Sequence, residues 1–182
     1  MTRRSRAREV ALQLLVWRDM NPTAPAESVD RFVHVRLRDP IHEPFARRIY
    51  DGVIAGQSDI DAAIVAAAEN WRLPRMPAVD RNVLRIGVFE MRDTTDPSPP
   101  AVVINEAIEL ARRYGSADSP AFVNGVLDQI KNQESEVRSQ ESEVGDQESA
   151  ASGQSTGHDD SKTDDSGAKD STINDATLVP DP

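Results

Sequence analysis

Between residues 4 and 131 the large apolar side chains return every three or four positions, in six stretches closed by proline or glycine. A repeat of that period places them on one face of an α-helix, whereas a half-buried strand needs strict alternation. No alternation is sustained, so the chain is expected to be all-α, with about seven helices and short links. The first stretch, 4–19, carries Ala7, Val10, Ala11, Leu14 and Trp17 on one stripe and stops before Asn21-Pro22. The second, 26–38, has Val29, Phe32, Val33 and Leu37 and ends at Asp39-Pro40. The third runs from 42 to Trp71; Gly56 divides it into two expected helices, with Ser58 or Asp59 as cap of the second. The fourth, 78–93, is closed by Asp96-Pro97-Ser98-Pro99-Pro100, and the fifth, 101–114, stops at Gly115.

The sixth stretch, 118–131, contains a conflict. In FVNGVLD, Phe122, Val123, Val126 and Leu127, followed by Ile130, have the spacing of a buried helix face, yet Asn124-Gly125 is a strong hairpin-turn dipeptide. Asp118 or Ser119 as cap and Pro120 in the first turn favour the helix. A helical glycine costs about 1 kcal/mol relative to alanine. The expected compensation is close approach of another helix at Gly125, with Asn124 hydrogen-bonded across the contact.

Charge divides the chain. Residues 1–131 hold 18 basic and 18 acidic side chains, whereas 132–182 hold 3 and 13, which is the whole net charge of −10. The low pI of 4.8 therefore describes a tail and does not exclude a nucleic-acid partner for the rest. Residues 132–182 have few large apolar side chains and repeat QESEV at Gln133 and Gln140, so they are expected to be a disordered, low-complexity acidic tail. This gives two regions, 1–131 folded and 132–182 appended.

Catalytic signatures are missing. The chain has no cysteine, and of its three histidines only His34 and His42 lie before the tail. No zinc-protease, phosphate-loop or nucleophile-elbow motif occurs, so no enzyme, cofactor or metal is expected. No apolar run reaches the ~18 residues of a membrane span, and Glu9, Gln13 and Arg18 interrupt the N-terminal apolar stretch, against a secretory signal. A cytoplasmic protein with no membrane partner is expected. The positive signal is Arg3, Arg4, Arg6 and Arg8, four guanidinium groups within six residues. Arginine forks bind two phosphate oxygens and stack on unpaired bases. These four do not share one helix face, which suits a flexible arm that orders partly on RNA; the same residues also suit a merely solubilising N-terminus. Leu12 and Val16 lie off the first stripe, as a second packing contact or as an apolar patch for a partner.

RRSRAREVALQLL at the start, VDRNVLRIGVFEM at 79–91, VINEAIELARRYG at 103–115 and FVNGVLDQI at 122–130 together resemble the NusB family, over about 131 of the 182 residues. The resemblance implies two packed three-helix bundles and a role in transcription antitermination on ribosomal RNA operons. There NusB pairs with NusE, a small-subunit ribosomal protein, and the pair binds single-stranded boxA RNA alongside other Nus factors on RNA polymerase. It implies no catalysis, and either a monomer or a homodimer.

Position by position, the resemblance makes Arg3, Arg4, Arg6 and Arg8 phosphate contacts and places Asp118 and Phe122 against RNA. It puts Val16 and Asp80 on the NusE-facing surface. Val16 stands where family members often have an aromatic, and Ala121, just before Phe122, stands where a basic residue is frequent, removing one possible phosphate contact. It makes Asn105, Glu106, Asn124 and Gly125 structural. Two other readings stand beside it: a helical protein-interaction module with weak or tail-inhibited RNA binding, and the detached RNA-binding domain of an rRNA cytosine methyltransferase. The absence of cysteine argues against the second.

Overall fold

The computed structural model describes residues 2–23, 25–68 and 71–151, with side chains as far as residue 136. Among these residues every regular element is helical. They are α1 Arg3–Met20, α2 Ala26–Leu37, α3 Glu43–Ala55, α4 Gln57–Ala67, α5 Ala78–Arg92, α6 Pro100–Tyr114 and α7 Ser119–Ala151, with a 3₁₀ turn at Leu73–Arg75. The chain divides into Met1–Glu143, which carries the packed core, and Val144–Pro182, of which the described part is helical backbone over 144–151.

Within the first unit, α1, α2 and α3 pack on one another as one bundle. In the other bundle, α5 gathers α4 and α6, and α1 against α5 joins the two. Because α1 touches α2, α3 and α5, it is buried on most sides: Leu12 and Leu15 are in the core together with the expected Ala7, Val10, Ala11 and Leu14. Leu12 is thus an internal packing contact, and Val16 is half-buried against the same core.

Helix ends follow the local signals at some positions and depart from them at others. The break between α3 and α4 falls at Gly56, as expected, but Gly56 itself is the cap and no side chain bonds there; Ser58 and Asp59 lie inside α4, which ends at Ala67 rather than at Trp71. Gly115 ends α6 in extended backbone, φ −93° and ψ −166°. It is glycine because a Cβ would stand 2.6 Å from that of Ser119, whose Oγ accepts the Ser116 N–H at 2.9 Å. At α7 the Phe122 N–H donates to the Asp118 carbonyl at 3.1 Å, which makes Asp118 the entry to the helix. The expected boundary at 131 is not a helix end. Glutamine, glutamate and alanine are good helix formers, and Arg92 Nε holds Glu134 Oε1 at 2.7 Å, so α7 continues to Ala151. The disorder expected for the tail falls, over 152–182, outside the described residues.

FVNGVLD is helical, but Gly125 is not where another helix comes close. It is exposed, and nothing lies within 4 Å of where its Cβ would be. The close approach occurs on the opposite side of this interface, at Gly87 of α5, where a Cβ would stand 2.8 Å from Leu127 Cδ1. Sequence periodicity marks Leu127 as core but cannot show which partner surrenders its side chain to admit it.

Candidate nucleic-acid interface

The four arginines begin a helix rather than a flexible arm. Thr2 Oγ1 accepts the Ser5 N–H at 3.0 Å, capping α1, and the first turn contains no acidic residue. Cations at this end oppose the helix dipole, and carboxylates from other parts of the fold and from the next turn of α1 offset them. Arg3 Nη1 lies 2.7 Å from Asp39 Oδ2, Arg4 Nη2 lies 2.8 Å from Asp96 Oδ2, and Arg6 pairs with Glu9. Hydrogen bonding from Arg3 holds Asp39 below the usual carboxylate range, as hydrogen bonding from Arg48 and Arg4 does for Asp96.

Arg8 differs from the other three. Only 3% exposed, it grips Glu90 with Nε and Nη2, each at 2.8 Å, and its Nη1 lies 3.3 Å from Glu106 Oε2. Burial works against its charge, but Glu90 and Glu106 outweigh it and raise its pKa. Arg8 is therefore a strut inside the fold. Arg3, at 76% side-chain exposure, is open to a phosphate, and Arg4 and Arg6 are partly open.

Phe122 does not stand alone. Its ring is 5.3 Å from that of Trp71, tilted by 52°, and Trp71 is 51% exposed. The Trp71 N–H donates to the Ala68 carbonyl at 2.9 Å, fixing it just beyond α4. Arg72 and Arg75, which follow it in sequence, are exposed, with no ion pair among the described residues. Two aromatic rings with exposed basic residues close in sequence suit a surface on which bases stack while phosphates are neutralised. Sequence reading treated Trp71 only as a helix end; its sequence context, NWRLPR, interleaves an aromatic with basic residues and was the available signal. Asp118 is exposed at the start of α7, one turn from Phe122.

Other expected positions fall differently. Glu106 is structural, accepting from Ser5 Oγ at 2.9 Å besides its contact with Arg8. Asn105 is exposed and Asn124 half-buried, and neither side chain makes a hydrogen bond among the described residues, so the bond expected of Asn124 across a close contact is not formed, nor is the close approach expected at Gly125. Asp80 is only 4% exposed, with Oδ1 lacking a hydrogen-bond partner among the described residues. It lies inside the first turn of α5, so the partner-facing position expected for it is covered. Its neighbours Arg81, Asn82 and Arg85 bind Asp19 at the end of α1, and Arg85 also clamps Asp61 of α4 at 2.7 and 2.8 Å. Among the described residues no His, Cys, Asp or Glu cluster is placed to hold a metal ion, and no helix is long and apolar enough to cross a membrane.

A model of the NusB family matches residues 5–132. The chain belongs to the NusB family. NusB relatives include the transcription antitermination protein NusB of Bdellovibrio bacteriovorus, 42% identical over 132 residues, covering 71% of this chain and 96% of that protein. That of Anaeromyxobacter dehalogenans is 46% identical over 136 residues, covering 71% and 90%. Among solved structures, T. maritima NusB is 34% identical with a TM-score of 0.61, covering 71% of this chain and 90% of that one. A crystal structure of antitermination factors NusB and NusE in complex with dsRNA matches with a TM-score of 0.65 at 26% identity, covering 73% and 98%.

Proposed function

We propose that this chain is a cytoplasmic transcription antitermination factor that pairs with NusE and binds the single-stranded boxA element of nascent ribosomal RNA, joining other Nus factors on RNA polymerase. Family membership across nearly the full length of relatives bearing that name is the observation that carries the reading. The same coverage favours it over a detached methyltransferase domain. As a NusB-family protein the chain is not an enzyme. A NusB neighbour bound to NusE and RNA supports the partner classes. On this chain, Arg3, Arg4 and Arg6 would meet phosphates, Trp71 and Phe122 would stack bases, and Asp118 would border them. Val16, with the Trp17–Phe32 ring pair at 6.0 Å beside it in sequence, would belong to the protein-facing side. Residues 132–182 would be an acidic appendage to the RNA-binding domain.

The test is a transcription reaction on a boxA-bearing template with a downstream terminator, supplied with the other Nus factors. Adding this chain with NusE is expected to raise read-through, and a scrambled boxA to abolish the gain. Equal read-through on both templates would contradict the reading.

A further inference from the structure

We propose that Arg4 of α1 and Arg48 of α3, seated together on the ring of Phe45, form a phosphate site for the RNA backbone that Asp96 occupies in the RNA-free protein. This rests on the RNA-binding reading above and assigns it one more contact residue, Arg48, and one internal competitor.

The two guanidinium carbons lie 4.2 and 5.3 Å from the Phe45 ring centroid, so one aromatic ring makes cation–π contact with both. Their Nη2 atoms converge on a single oxygen, Asp96 Oδ2, each at 2.8 Å. One anionic oxygen shared by two arginine forks is also the geometry of a bound phosphodiester oxygen. The occupant is replaceable. Asp96 belongs to the proline-rich link between α5 and α6, its side chain is partly exposed, and the following Pro97 restricts its backbone to extended conformations rather than anchoring it in a helix.

Arg48 is also incompletely satisfied. Its Nε is buried and lies 3.1 Å from Asp93 Oδ2, but outside hydrogen-bonding geometry. The two non-bridging oxygens of a phosphodiester match the two carboxylate oxygens of Asp96 and can take their place on the Nη2 donors of Arg4 and Arg48. Arg8, 5.3 Å from the same ring, does not compete, since Glu90 and Glu106 already hold it. From Arg48 an open groove leads along Arg47, Asp51, Phe89, Asp93 and Thr95; its carboxylates Asp51 and Asp93 confine the phosphate site to the Arg4–Arg48 end.

The test titrates fluorescently labelled boxA-type and scrambled single-stranded RNA with the full chain and NusE, over a salt series. Asp96→Asn is expected to bind about threefold tighter, the size of one exposed charge contact, while melting at a lower temperature without RNA because α1 and α3 lose a shared tie. Arg48→Gln is expected to bind about threefold weaker, to flatten the log–log salt slope by about 0.7, and to remove most of the Asp96→Asn gain. Unchanged or weaker binding by Asp96→Asn, or an unchanged slope in Arg48→Gln, would overturn the site. If the wild type fails to prefer boxA over the scrambled RNA, the functional reading falls instead; the Asp96→Asn comparison on scrambled RNA still decides the phosphate site.

Discussion

Arg8 and Glu90 face each other in a two-pronged ion pair, Nε to Oε2 and Nη2 to Oε1 both at 2.8 Å, with both side chains almost wholly buried. The pair ties α1 of one bundle to α5 of the other. Removing one partner strands the other charge inside the protein. Arg8→Gln should therefore destabilise the fold by about 3–5 kcal/mol, measured by urea unfolding. Arg3→Gln, at the solvent edge, should change stability by less than about 1 kcal/mol. Similar losses for both would contradict the buried-strut assignment.

Two glycines give opposite expectations. Gly87→Ala pushes a methyl group against Leu127 and should destabilise by about 1–3 kcal/mol. Gly125→Ala meets nothing and should stabilise the RNA-free chain by up to about 1 kcal/mol through helix propensity. Thermal melts of the two variants should move in opposite directions.

Acid should weaken the fold through several carboxylates at once. For Asp19, burial alone would push the pKa up, but Arg81, Asn82 and Arg85 outweigh it; for Glu9, the same is true of Tyr114, Arg6 and Arg113. Asp96 and Asp39 are also lowered. A carboxyl with a depressed folded pKa contributes its full stability above its unfolded value near 4, and loses it as pH falls toward the folded value. Unfolding free energy should thus be flat from about pH 7 to pH 5 and fall below about pH 4. Asp19→Asn should be less stable at neutral pH and show a shallower acid decline. An unaltered acid profile would contradict the linkage.

Stacking predicts that Trp71→Ala and Phe122→Ala each weaken RNA binding by about 1–3 kcal/mol. Trp71 is half exposed and packs on Phe122, so Trp71→Ala should also lower stability. Binding measured well below the melting transition, where both chains are folded, separates a binding role from a structural one. Binding equal to wild type in Trp71→Ala would remove that ring from the interface.

Periodicity and punctuation made the helices legible, because burying an apolar stripe fixes both the element and its inward face. They were less informative where three-dimensional partners decide. Arg8 and Arg3 look alike in sequence, yet Glu90 and Glu106 bury one while Asp39 leaves the other open. Gly125 looks like a packing glycine in sequence, but the position of Leu127 gives that role to Gly87. Trp71 became part of the candidate site only when the chain brought Phe122, 51 positions later, beside it.

The central claim is that the arginine-bearing start of α1 and the Trp71–Phe122 pair bind boxA-type RNA in the company of NusE. The most direct measurement is the affinity of the NusE complex for boxA and for scrambled single-stranded RNA across a salt series, in wild type and Arg3→Gln. The account predicts a clear preference for boxA, and a log–log salt slope shallower by about 0.7 in the variant. Equal affinity for both RNAs, with a slope that Arg3→Gln does not alter, would contradict it.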